Sequence, residues 1–302
     1  SFVPENVLHT RLFGGAPPDR NSIERIDAAW IHGRGHDTRF RKLRDATVAA
    51  LGCGSVGAPV ASTLARAGVG KLLLVDEQTL KGGNVGRHTL GVGAISEFKA
   101  MALARQIRAT LPHIDVTCHV STVEELLLHP DDPFAKVDLI VSVLGDWPAE
   151  SLLDEWQVSH DDPVPIVYGW TEPHAAAGHA IVISSGEDRL RSGLDAYGTP
   201  NVIAVRWTDD TRRYEPACGA AFDPYGPVEL GFVTSMISQA ALDVIQGNVS
   251  SGTHRIWLAR RRFVEAAGGL WSDEIRAIAP QALEGATIIE RKWGRDTRNL
   301  AA

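Results

Sequence analysis

Residues 52–57 read GCGSVG, with glycines at 52, 54 and 57. In a strand-to-helix turn, Gly52 allows the tight bend and Gly54 lets a phosphate approach the backbone. Gly57 lets the helix pack closely on the strand. The helix that follows aims its free N–H groups, with their partial positive charge, at the same spot. Asp76 ends the next apolar run, 19 residues after Gly57, where a carboxylate can hold ribose hydroxyls. A glycine turn serving packing alone is the bland alternative. The strand–helix–strand context, with loop and acid together, favours a nucleotide. NAD and ATP both remain open here, because each carries an adenosine ribose and phosphates.

The next stretch, DEQTLKGGNVGRHTLGVGAISEFKA from Asp76, separates the two. Hydride transfer has no need of an asparagine, an arginine and a lysine in this place. Nucleotidyl transfer must bind a triphosphate, orient its α-phosphorus and neutralise charge on the departing pyrophosphate. Asn84 and Arg87 sit three apart on a short polar turn, and Lys99 falls in the first turn of the next helix. Asp146 stands at the carboxyl end of the fourth strand, beside the crevice where such sheets bind ligands, and is a suitable magnesium ligand. Each of these four, taken singly, reads as a solvated loop charge. Their conjunction around one crevice carries the argument.

The elements that must hold these residues are legible in outline. TVAAL (47–51) is a first buried strand, 55–67 a helix on small residues, and KLLLV (71–75) a second strand. A helical pattern over 97–111 precedes an alternating strand from His113 to Val120. VDLIVSV (137–143) is a fourth strand, and Pro165–Gly169 and Gly178–Ile183 read as two more. Residues 1–21 read as a loop-like lead, and a helix start is expected at Ser22. Residues 184–226 form a Gly-, Pro- and charge-rich crossover loop with one clear strand near 202–207. A helix covers 227–246, and a β-rich tail follows. The fold class is α/β, a Rossmann-like, doubly wound, mostly parallel sheet. The division is an N-terminal extension (1–46), a nucleotide-binding domain (47–250) and a C-terminal tail (251–302).

Composition narrows the partners. A net charge of −7 argues against nucleic acid or an anionic membrane. No continuous apolar run reaches the ~18 residues of a membrane span, and no signal peptide is evident. A cytoplasmic location is the expectation. Three widely spaced cysteines, Cys53, Cys118 and Cys218, make neither a disulfide framework nor a thiolate zinc site.

GCGSVG, VDEQTL, NVGRH, FKA and VLGDW, in this order over residues 47–148, resemble the adenylating domain of the ThiF–MoeB–HesA superfamily, which includes ubiquitin-activating enzymes. With gaps, the resemblance runs from Thr47 to Gln246. It implies that the site binds MgATP and adenylates the C-terminal glycine carboxylate of a ubiquitin-like protein. On it, Gly52, Gly54 and Gly57 cradle the nucleotide, Asp76 holds ribose, Asn84, Arg87 and Lys99 bind phosphates, and Asp146 holds magnesium. It also implies a homodimer. Three departures stand out. His88 replaces the glutamine common in the family, the C-x-x-C zinc clips are absent, and an arginine supplied by a dimer mate has only loose candidates in Arg34, Arg39 and Arg41. The absence of zinc clips aligns the chain with bacterial members found beside conjugating enzymes.

Cys218 lies in YEPACGAAFDPYGP, a loop by its glycines and prolines. Free cysteine prefers burial, so a cysteine here invites a thioester role, with Arg212 and Arg213 upstream to favour the thiolate. Related activating enzymes carry their acceptor cysteine in the segment before this helix. A structural leftover is the alternative. The remaining candidates read blandly. His32 and His36 are taken as solvated, His174 and His179 as polar surface, Arg260 to Arg262 as a solvated basic face, and Cys53 and Cys118 as core. His88 is either a phosphate donor or a turn cap. The preferred reading is adenylation followed by thioester transfer. Its rivals are adenylation alone, for sulfur-carrier activation or peptide modification, and an NAD-binding Rossmann protein.

Overall fold

The structure, a computed structural model, describes residues 3–14, 24–32, 39–184, 188–214 and 221–294. Helices α1 (Glu5–Phe13), α2 (Ala28–Ile31) and α3 (Phe40–Asp45) precede the sheet. There follow β1 (Thr47–Leu51), α4 (Gly57–Ala67), β2 (Lys71–Val75), α5 (Lys99–Thr110), β3 (Asp115–His119), α6 (Val123–Leu127), β4 (Leu139–Ser142) and α7 (Trp147–Val158). Strands β5 (Ile166–Thr171) and β6 (Ala177–Ile183) come next. The crossover carries β7 (Val205–Trp207), β8 (Arg213–Tyr214) and β9 (Ala221–Phe222), and leads into α8 (Pro227–Gln246). The chain closes with β10 (Thr253–Leu258), α9 (Arg261–Ala266), β11 (Gly269–Trp271), α10 (Asp273–Ile278) and β12 (Thr287–Lys292).

The main sheet has eight strands in the order β12-β10-β6-β5-β4-β1-β2-β3. The five from β3 to β5 are parallel, and β6, β10 and β12 add antiparallel. This is the mostly parallel α/β sheet expected. The tail does not form a sheet of its own: β10 and β12 extend this one. Helices α4, α5 and α8 cover one face, where Leu64, Leu103, Val233 and Ile237 are buried. Helices α6 and α7 cover the other, with Phe134, Leu153 and Tyr168. Such two-sided burial explains the nearly unbroken apolar runs of β1, β2 and β4.

Several expectations need correcting. The lead is not all loop, since α1 forms on an exposed face with Glu5 in its first turn and Arg11 in its last, each favourable to the helix dipole. Ser22 lies outside the described residues. The helix begins later, at Ala28, where the Asp27 side chain accepts the Trp30 N–H. Helix α8 is 20 residues long and contains an 18-residue window with a mean hydropathy of 1.4, so a span-length apolar segment does exist. It places Leu230, Val233, Met236 and Ile237 against the sheet.

His179 is not surface. It is fully buried in β6, its Nε2–H donates to Glu172 Oε1 at 2.9 Å, and its Nδ1 accepts from His254 Nε2 at 2.9 Å. Burial holds His254 well below the usual histidine range, so it is neutral. The same Glu172 carboxylate accepts the N–H groups of Ala204 at 2.6 Å and Val205 at 3.0 Å. Together with the antiparallel β7–β11 ladder, it clamps the entry of the crossover onto the sheet. His32 is also buried, stacked on Phe40, with its Nε2 2.7 Å from His113 Nε2. His36 lies outside the described residues.

Candidate functional site

The site forms where β1, β2 and β4 end. Their registers align Leu51 with Val75 on one side and Ser142 on the other. The loop after β1, the acid after β2 and the turn after β4 therefore open at one edge. The chain runs outward from β1 through β2 and β3 on one side, and resumes through β4 on the other. The edge is thus a topological switch point, the usual ligand crevice of such sheets.

Gly52 takes φ +88, a left-handed conformation that favours glycine, and its N–H donates to Val75 O at 2.9 Å. A Cβ at Gly57 would collide with the Gly52 carbonyl oxygen and come within 2.8 Å of Val143 Cγ2, so α4 can start this close to β1 only on glycine. Gly54 faces open space. The tight bend expected at Gly52 and the close helix packing expected at Gly57 are therefore what the backbone shows.

A cleft of about 240 Å³ is lined by Gly52, Gly54, Asp76, Lys99 and Asp146 among others. Asp76 braces the loop as well as facing the cleft. Its Oδ2 accepts the Cys53 N–H at 2.8 Å and its Oδ1 the Gln78 N–H at 2.7 Å. Each oxygen keeps a lone pair for a further donor in the cleft. Lys99 begins α5, is 6% exposed, and donates to Gln78 Oε1 at 2.8 Å. Asp146 is exposed at the N-terminus of α7 and makes no side-chain bond to its own helix. Behind it, Glu150 is buried, and burial raises its carboxyl to about 7 against a hydrogen bond from Ser142 Oγ and others from the backbone of Gly145 and Leu144.

Asn84 and Arg87 do not line this cleft. They occupy the adjoining 3-10 turn, Gly82–Arg87, where Asn84 Oδ1 accepts the Lys81 N–H and Arg87 donates to Gly83 O at 2.9 Å. The guanidinium lies 5.1 Å from the Tyr225 ring centroid, at the crossover's far end, and its buried Nε has no hydrogen-bond partner among the described residues. His88 settles as a turn cap. Its Nδ1 accepts the Leu90 N–H at 3.0 Å and its Nε2 donates to Cys53 O at 2.8 Å. Cys53 itself is fully buried and its thiol is pushed up by burial, so it is inert packing, as expected. Cys118 is partly buried and packs on the same core. Cys218 lies outside the described residues, between β8 and β9.

The cleft also gains Gln78, Thr122 and Glu124, which the motifs did not suggest. A readable signal existed for the second, because Thr122 and Glu125 form a capping box at the start of α6. Among the described residues no group of three metal-binding side chains occurs. Asp146, an exposed carboxylate on the cleft, could hold a magnesium ion shared with a phosphate ligand.

Comparison with known proteins agrees with this geometry. The model of the ThiF family matches residues 31–263. The chain belongs to the ThiF family, the E1-like adenylating domains. It is 28% identical over 172 residues to the ATP-dependent ubiquitin transferase-like protein Cap2 of Pseudomonas aeruginosa, covering 55% of this chain and 30% of that protein. It is 27% identical over 237 residues to ubiquitin-like modifier-activating enzyme 5 of Branchiostoma floridae, covering 74% and 55%. The chain thus spans from about a third to about half the length of these relatives. The crystal structure of E. coli MccB with AMPCPP and MccA shares the fold at a TM-score of 0.56 and 15% identity, over 85% of this chain and 66% of that one.

Proposed function

We propose that this chain binds MgATP in the cleft at the ends of β1, β2 and β4 and adenylates the C-terminal carboxylate of a Gly-terminated, ubiquitin-like protein. The observation that carries the reading is Lys99. It is a buried ammonium whose hydrogen-bond partner is a neutral amide, set beside a glycine loop and a helix N-terminus. A buried charge with no ion pair among the described residues is costly, and a triphosphate supplies the anion.

In this reading a substrate carboxylate oxygen attacks the α-phosphorus. The α–β phosphoanhydride bond breaks and pyrophosphate leaves, its charge met by Lys99. Arg87, in the adjoining turn, would join it by turning its guanidinium from Tyr225 towards the cleft, and a magnesium ion held by Asp146 would supply further charge neutralisation. Asp76 orients the ribose, and Asn84 braces the turn that carries Arg87. The Cys218 thiolate then attacks the acyl carbon, AMP departs, and the substrate is held as a thioester. The crossover context of Cys218 supports this second step, as does similarity to a ubiquitin-like modifier-activating enzyme. The likeness to MccB, solved with the peptide MccA, keeps adenylation without a thioester as the second reading.

Isothermal titration with ATP and with NAD(H) tests the first step. Tight NAD(H) binding without ATP binding sinks it. Cys218→Ala tests the second: it is expected to keep ATP–pyrophosphate exchange but lose a dithiothreitol-sensitive conjugate on a non-reducing gel. A conjugate that persists leaves adenylation alone. The function further implies a homodimer, and a monomer in concentrated solution by sedimentation rejects that element.

A further inference from the structure

The glycine loop is pinned from both sides of one residue. The N–H of Cys53 donates to Asp76 Oδ2 at 2.8 Å, and the Cys53 carbonyl accepts from His88 Nε2 at 2.8 Å. The first strut comes from the end of β2, the second from the turn that carries Asn84 and Arg87. The second works in only one protonation state. His88 Nδ1 accepts the Leu90 N–H at 3.0 Å, so that nitrogen bears no proton and Nε2 must carry the one it donates. A neutral imidazole thus ties two chain segments together by using both of its nitrogens. Cys53 stands between Gly52 and Gly54, at the point where a phosphate would meet the backbone.

Adding a second proton breaks this arrangement. An N–H at Nδ1 would face the N–H of Leu90, and two donors in opposition force the ring or the turn to move. The groups facing the ring are Lys99 and Arg87, whose charges disfavour the added proton, and Asp76, which favours it, with the buried Cys53 thiol alongside. Half-burial of the ring works in the same direction as the two cations, so the ring is neutral near pH 7.

We propose that His88 is a positioning residue for nucleotide binding: as a neutral strut between Cys53 O and Leu90 N–H, it holds the glycine loop in its phosphate-receiving shape and releases it when protonated. This rests on the reading of the cleft as an ATP site. The side chain acts through the loop and does not itself touch the nucleotide.

The test is isothermal titration of MgATP into the full chain from pH 5.5 to 8. It compares the unmodified protein with His88→Gln and His88→Leu, with near-ultraviolet circular dichroism confirming the fold at each pH. Glutamine can still donate to Cys53 O but does not titrate. His88→Leu is expected to weaken ATP binding about tenfold at pH 7.5, because a loop carbonyl loses its donor. His88→Gln is expected to bind within about threefold of the unmodified protein there, and to lose less affinity than that protein as the pH falls to 5.5. Protonation of the γ-phosphate and of the other histidines is common to both proteins and drops out of the comparison. Identical pH profiles for the unmodified protein and His88→Gln, or ATP binding unchanged in His88→Leu, overturn the strut alone. No ATP binding at any pH in the unmodified protein overturns the nucleotide reading and the strut with it.

Discussion

The Lys99 ammonium lies 2.8 Å from the side-chain carbonyl of Gln78, and among the described residues no carboxylate forms an ion pair with it. The amide sets the direction of the side chain without cancelling its charge, so the full positive charge is kept for a ligand. Replacing that amide with a carboxylate would supply a resident counter-ion of nearly the same shape.

Gln78→Glu is therefore expected to leave the fold intact and weaken ATP binding about tenfold, since a ligand phosphate must displace an internal ion pair. Lys99→Met should weaken it further. Calorimetric titration of the two variants checks the order. Tighter binding by Gln78→Glu would show that Lys99 needs ionic support, not freedom.

Asp146→Asn removes a charge and leaves helix α7 alone, because the side chain is exposed and caps nothing. Melting temperature should be unchanged. Substrate-dependent ATP–pyrophosphate exchange should fall about a hundredfold or more, through loss of magnesium-borne stabilisation of the leaving pyrophosphate. A variant with undiminished exchange and normal magnesium dependence would place the metal elsewhere.

Gly57→Ala puts a methyl group against the Gly52 carbonyl oxygen and Val143 Cγ2. Backbone at one contact and the partly buried Val143, just past the end of β4, at the other leave little room to yield. A loss of about 1–3 kcal/mol is expected, read as an earlier midpoint in denaturant, with nucleotide binding reduced in parallel. Gly54→Ala, whose Cβ would meet nothing within 4 Å, should fold normally and impair binding alone.

Glu150 makes stability depend on pH. Its carboxyl titrates at about 7 in the folded chain against 4.5 as the ordinary value. A folded value above the unfolded one favours the protonated form, so this contribution is complete below about pH 4.5 and is lost as the pH rises through 7. Glu150→Gln removes the liability. The melting-temperature gain of the variant over the unmodified protein should be small at pH 5 and largest at pH 8. It should correspond to at most about 3 kcal/mol on the usual conversion of a pKa shift. A gain that does not grow with pH would show that the carboxylate is solvated.

Strands β1, β2 and β4 were readable because burial on both faces leaves them apolar end to end, and α4 and α8 because glycine or proline marks their starts. Helix α7 was not. Its buried stripe carries Glu150, Asp154 and Gln157, so the face packed inward reads as polar. Asp154 is satisfied by Arg189 and the Leu190 N–H, and Gln157 donates to Val164 O and Ile183 O. Ile183, Arg189 and Leu190 lie too far along the chain for any local window to reveal them. His179 was misread because His254 becomes its neighbour only when β6 pairs with β10, and Glu172 only when β5 and β6 fold back on each other. The residues of the cleft stood out because they follow strand ends, where spacing along the chain maps onto position at one edge. Asn84 and Arg87 occupy a separate turn, and their distance from the cleft lining depends on a turn geometry that spacing alone does not specify.

The clamp of Glu172 on Ala204 and Val205 sets the length of a tether. Beyond β7 the chain is next held by the core at α8, which begins at Pro227. Cys218 lies nine residues before Pro227, and a fully extended chain spans about 3.4 Å per residue. Its sulfur is therefore leashed to within about 30 Å of the start of α8. A group to be captured by Cys218 must come inside that radius, whatever path the crossover takes. A donor site farther away could be reached only by undoing the first turn of α8, because the Glu172 clamp on Val205, 13 residues before Cys218, is the longer arm of the tether.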